Sequence, residues 1–85
     1  MHELNGGWFE RIARGAGYNL TGKCSHSFDS EGFMCEDNSQ VSVVKLEKYN
    51  NTYGFLYEIW ADGKYVKTVD HKGKWIRKFT QSQLN

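Results

Sequence analysis

The side chains best equipped for chemistry are few. Cys24 and His26 stand two apart, Cys35 follows later, and His2 and His71 lie far from them in the chain. Zinc takes four nitrogen or sulfur ligands in a tetrahedron, usually delivered as two close pairs. Only one close pair occurs, and it is spaced C-x-H. A small buried cysteine beside a surface histidine accounts for it, so neither a metal nor any other cofactor is expected. A Cys or Ser nucleophile with His26 or His71 and a carboxylate can be assembled on paper. No strained nucleophile turn with oxyanion donors accompanies it. Histidine titrates near neutrality and can move protons in RNA cleavage, but two of the three histidines fall in terminal or loop text. No enzyme is expected.

Gly15-Ala16-Gly17 carries neither a dinucleotide fingerprint nor a phosphate-binding loop signature. It reads as a helix stop. Arg11 and Arg14 near that stop suit the negative end of a helix dipole.

The feature with most chemistry in it is a basic, aromatic stretch near the C-terminus. Lys64-Tyr65-Val66-Lys67 and Lys72-Gly73-Lys74-Trp75-Ile76-Arg77-Lys78-Phe79 interleave cations with rings. Lysines bind phosphates as point charges, and rings stack on unpaired bases at roughly 1–3 kcal/mol each. Alternate residues of a strand share a face. Tyr65, Lys67 and Val69 should therefore share one face, and Trp75, Arg77 and Phe79 one face of the next strand. The same residue types, Tyr, Trp and Arg, dominate protein-interface hot spots, and large rings in small domains also serve as core. The candidate binding residues are Lys64, Tyr65, Lys67, Lys72, Lys74, Trp75, Arg77 and Lys78.

Charge distribution supports this emphasis. Net charge is +1. Residues 1–43 hold six carboxylates against three cations, whereas residues 60–85 hold six cations against two carboxylates. Such asymmetry hints at an anionic partner, though ordinary solvated charge on a β-ribbon would look the same.

The elements that position these residues can be read from periodicity and turn chemistry. Eighty-five residues, with 15% aromatics, form one small domain with enough large apolar surface for a core. Leu4, Trp8 and Ile12 recur at helical spacing, with Phe9 and Ala13 beside them. With Asn5 as N-cap and Gly15 and Gly17 as stops, this predicts a helix at about residues 6–15. Residues 18–40 read as loop with at most one hairpin, turning at Asp29-Ser30-Glu31-Gly32 and again at Asp37-Asn38-Ser39. Strands are expected at about 41–49, 53–60, 64–71 and 75–79. Asn50-Asn51-Thr52, Asp62-Gly63 and Lys72-Gly73-Lys74 separate them. The strand at 53–60 is apolar on both faces and should be central. The expected fold is α+β, a short N-terminal helix packed on a four-stranded antiparallel β-meander.

Two cysteines do not make a disulfide scaffold, and in a reducing compartment they stay as thiols. The first residues lack a basic head followed by an apolar stretch, and no run nears the roughly 18 apolar residues of a membrane span. Asn19-Leu20-Thr21 and Asn50-Asn51-Thr52 fit the glycosylation pattern but read as turns without a secretion signal. The expected location is the cytoplasm, with no membrane partner.

No RNA-recognition, KH or cold-shock signature is present. In general style, a short, proline-free, aromatic-rich chain, the sequence is similar to many accessory proteins of phages and mobile elements. That resemblance implies docking on a host protein. The sequence thus points to a non-catalytic binding protein, an inhibitor or accessory factor acting on a protein partner. Direct RNA or DNA binding through the basic aromatic ribbon is the alternative.

Overall fold

The computed structural model describes residues 3, 4, 6–51 and 54–76. One helix, α1 (Trp8–Gly15), precedes five strands: β1 (Leu20–His26), β2 (Ser30–Cys35), β3 (Gln40–Asn51), β4 (Gly54–Ala61) and β5 (Lys64–Val69). The strands form one antiparallel sheet in the order β1-β2-β3-β4-β5, a meander in which each strand pairs with its neighbour in the chain.

The strand count differs from expectation by what happens in residues 18–40. That stretch does hold the one hairpin its turn signals allow, and the hairpin joins the rest of the sheet. Its text is poor in β-branched residues, so propensity hides it. Pairing supplies what propensity does not: β2 lies between β1 and β3 and is bonded on both sides. The turn falls at residues 27–29, earlier than predicted, because Ser30, Glu31 and Gly32 already pair with Val44, Val43 and Ser42. At the other end, Trp75 makes one isolated antiparallel bridge to Val69 rather than opening a strand within the described residues. Positions 77–79 of the expected last strand lie outside the described residues.

The helix is shorter at its start than predicted. Its N-cap is Gly7, which makes no side-chain cap; Asn5 lies outside the described residues. The entry is held by Glu10 instead, whose buried carboxylate accepts from the Gly6 N–H at 3.1 Å and pairs with Arg14 at 3.6 Å. At the far end, Gly17 N–H donates to Arg14 and Tyr18 N–H to Ala13, the paired bonds of a Schellman stop.

Register and alternation place Phe33, Val41, Val43, Tyr57, Ile59 and Val69 on one face of the sheet. Ile12 and Ala13 of the helix cover that face, and all eight residues are at most 2% exposed. Phe9, Ala16, Tyr18 and Phe55 pack around them. Each fully buried large side chain here stabilises by about 1.5–3 kcal/mol. β4 is buried on both faces through its middle, with Leu56 and Glu58 turned to the side away from the helix. The β4–β5 hairpin turns at Asp62 and Gly63, both at positive φ (50° and 81°), as a type I′ turn requires. Among the described residues no helix is long and apolar enough to cross a membrane.

Candidate binding surface

Among the described residues, those of the candidate ribbon do not form a single surface. Lys64 is exposed beside the β4–β5 turn. Tyr65 and Lys67 were expected on one face and lie on opposite ones. Ile59 pairs with Lys67 but Trp60 pairs with Tyr65, so Val66 is an extra residue, a β-bulge that resets the alternation. Tyr65 turns to the face away from the helix, where its ring meets Trp60 edge-on at 6.0 Å and its hydroxyl bonds Thr68 at 2.8 Å. Lys67 turns to the helix face and its Nζ donates to the Ala16 carbonyl at 3.4 Å, a cation at a helix C-terminus. Both are occupied within the fold.

Lys72 and Lys74 are exposed on a tight loop that Asp70 organises. Its Oδ1 accepts the backbone N–H of Lys72 and of Lys74, each at 2.9 Å, and its own N–H donates to the Lys74 carbonyl. Between the lysines, Gly73 (φ +84°) is buried against the helix. A Cβ there would stand 2.5 Å from the Ile12 carbonyl oxygen and 2.7 Å from the Ala16 nitrogen. A Cβ on Gly15 would collide with the Lys72 carbonyl oxygen. Two glycines thus let the loop backbone lie directly on the end of α1. Arg77 and Lys78 lie outside the described residues.

Trp75 is 52% exposed and begins a line of side chains across the sheet. Trp75 pairs with Val69, Val69 with Tyr57, and Tyr57 with Lys45. At about 4.8 Å per strand spacing, that line spans roughly 14 Å. Trp8 of α1 sits over its middle, 51% exposed, with its indole N–H donating to the Tyr57 hydroxyl at 2.6 Å. Phe9 meets the Tyr57 ring edge-on at 6.0 Å. At the far end the Lys45 ammonium lies 4.8 Å from the centre of the Phe55 ring and 5.1 Å from that of Phe28. Phe28, on the β1–β2 turn, is 87% exposed. The backbone ties that turn to the line, since Lys45 N–H donates to the Asp29 carbonyl at 2.7 Å. Between Trp8, Phe9, Phe55 and Tyr57 lies a cleft of about 380 Å³, with Lys45 and Gly54 completing its lining.

Of this strip the sequence points only to Trp75 as a contact, and it places Trp8 in the apolar stripe of the helix. One signal was available: a phenylalanine next to Asp29 in a turn has no core to enter.

A second cluster lies on the same face near the β1 edge. Glu31, 9% exposed, holds Lys23 Nζ at 3.3 Å through one oxygen and His26 Nδ1 at 3.3 Å through the other. Lys23 is equally buried, whereas the His26 side chain is largely exposed. A buried carboxylate that orients an exposed imidazole is a general acid–base arrangement in outline; here Glu31 also neutralises a buried lysine. Cys24 and Cys35 are unbonded thiols, the second buried. Burial pushes the Cys35 thiol above its ordinary value, and burial with the nearby Cys35 does the same to Tyr18. Among the described residues no three His, Cys, Asp or Glu side chains gather as a metal site.

Comparison with protein-family models, with curated proteins and with solved structures finds no match to this chain.

Proposed function

We propose that this protein is a non-catalytic binding protein, an inhibitor or accessory factor that docks on another protein in the cytoplasm. The observation that carries the reading is the exposed strip: Trp8, Phe28 and Trp75 stand half or more exposed along one side of a single sheet face. Small folded proteins seldom leave their largest rings to solvent, and grouped exposed rings mark interaction surfaces. The exposed Lys72 and Lys74 adjoin the Trp75 end, and Lys45 the Phe28 end. The complementary surface is therefore apolar at its centre and acidic at its rim.

The cation between two rings also supports the alternative reading. A lysine flanked by stacking surfaces is what a single-stranded nucleic acid uses, so RNA or DNA remains the second reading. The two separate cleanly. The tagged protein is used to capture partners from lysate with and without nuclease, at low and high salt. The expected result is a protein partner that survives nuclease, is lost with Phe28→Ala plus Trp75→Ala, and weakens only modestly with salt. Capture of nucleic acid alone, with affinity falling steeply in salt through counterion release, would replace the first reading by the second.

A further inference from the structure

Cys24 and His26 stand two apart on β1, the first strand in the order of the sheet. We propose that they are half of a zinc site, and that a second copy of this chain supplies the other half, so that the metal joins two molecules edge to edge.

The imidazole is held as a metal ligand is held. Glu31 is 9% exposed, and its Oε2 lies 3.3 Å from His26 Nδ1. An ionised carboxylate only accepts. The ring proton therefore sits on Nδ1, and Nε2 keeps its lone pair. With the His26 side chain 69% exposed, that lone pair is open to an incoming ion. A carboxylate behind the ring that fixes its tautomer and orientation is the usual outer partner of a metal-bound histidine. Cys24 is an unbonded thiol, neither buried nor fully exposed. Lys23 pairs with Phe33 and Ser25 with Gly32, so Cys24 is the extra residue of a β-bulge, with no residue of β2 opposite it. Bulges re-aim side chains in this way.

Coordination number brings in the second copy. Zinc takes four nitrogen or sulfur ligands, and thiolate with imidazole is a usual set. β1 holds one such pair, and among the described residues no three His, Cys, Asp or Glu side chains gather. Two β1 edges aligned antiparallel about Ser25 set Cys24 of each chain beside His26 of the other. One twofold contact thus delivers two cysteines and two histidines. The charges balance. Two thiolates neutralise the dication, and Lys23 neutralises Glu31 at 3.3 Å. Each thiol gives its proton to solvent as the metal binds. Thiolate is also a soft ligand, which selects zinc over magnesium or calcium.

Zinc chloride is titrated into the full, reduced chain while sedimentation velocity follows the mass, and cobalt(II) serves as the spectroscopic probe. Zinc should saturate at one ion per two chains and double the mass, and a chelator should reverse both. Cobalt should give the intense visible bands of tetrahedral coordination, with thiolate-to-metal charge transfer. Cys24→Ser and His26→Gln should each abolish the dimer while the far-ultraviolet circular dichroism stays unchanged. Cys35→Ala should leave zinc binding as it is. Glu31→Gln, a change to the positioning residue, should weaken zinc about 10–100-fold and keep the tetrahedral cobalt spectrum. If that variant does not fold, the two ligand variants decide alone. Saturation at one zinc per chain without a change in mass, an octahedral cobalt spectrum, or a dimer that survives Cys24→Ser overturns the proposal. Partner capture through Phe28 and Trp75 is a separate measurement, so the docking reading and the zinc site can fail independently.

Discussion

Phe33 and Phe28 sit five residues apart, and the fold treats them in opposite ways. Phe33 is fully buried at the centre of the sheet under Ile12 and Ala13, whereas Phe28 is 87% exposed at the turn. The helix is the cause. Its eight residues cover the middle of the sheet face and stop; beyond it the face continues as the ring-lined strip. The covered region is closely packed around Phe33, Val43 and Ile59. The uncovered one has rings, a lysine held between two of them, and a cleft. One face therefore does two jobs, stability under the helix and contact beside it.

Substitutions that act on one region and spare the other sharpen this contrast. Phe33→Ala should cost about 3–5 kcal/mol in a chemical-denaturation midpoint, since it opens a cavity in a site with no room to collapse. Glu31→Ala should cost about 3 kcal/mol by the same measurement, because it strands the buried Lys23 charge. Replacing both Lys23 and Glu31 by apolar residues should recover most of that loss. Gly73→Ala should cost about 2 kcal/mol or more, combining an unfavourable positive φ with backbone contact on the helix end. It should also weaken partner capture by shifting Lys72, Lys74 and Trp75, which makes it the one change expected to damage both regions. Phe28→Ala should change stability by less than about 0.5 kcal/mol while reducing partner binding. A large stability loss there would mean that the strip is core after all, and the comparison would collapse.

The covered region also predicts a pH dependence. Cys35 and Tyr18 have raised values in the fold. Their neutral forms are favoured there, so the contribution is intact below the ordinary thiol value of about 8.5 and is lost as pH rises through the raised folded values. Thermal melts should fall in alkaline buffer from that point, and Cys35→Ala should reduce the fall. Asp37 runs the other way. Its bonds from Ser39 hold its carboxyl below the usual range, so its small, solvent-screened contribution is present at neutral pH and is lost on acidification through the lowered value.

Much of the architecture was legible before the structure. The meander from Val41 onward followed from β-branched runs and from Asp62-Gly63, whose turn chemistry is local. The helix followed from Leu4, Trp8 and Ile12 at helical spacing and from its glycine stop. What escaped was decided by tertiary pairing. The β1–β2 hairpin has weak propensity and depends on β3 for its register. The Val66 bulge adds one residue to β5 and turns Tyr65 away from Lys67, which no periodicity could reveal. The strip escaped for a related reason: Trp8, Tyr57, Lys45 and Phe28 come from four separate elements, and sequence shows neighbours along the chain only.

The helix docking has a consequence for folding order. In the sheet every strand joins its chain neighbour, so each hairpin closes a short loop and the meander can zip up from local pieces. The helix joins through pairs far apart in the chain, Trp8 with Tyr57 and Lys67 with Ala16, separations of 49 and 51 residues. These are expected to form last, and they also complete the strip and its cleft. A sheet that has folded without its helix would expose its core and lack its binding surface. Amide exchange should then show α1 opening before the β2–β3 ladder. A partner that grips Trp8 would clamp the helix, slowing that opening and closing the fold's last step from outside.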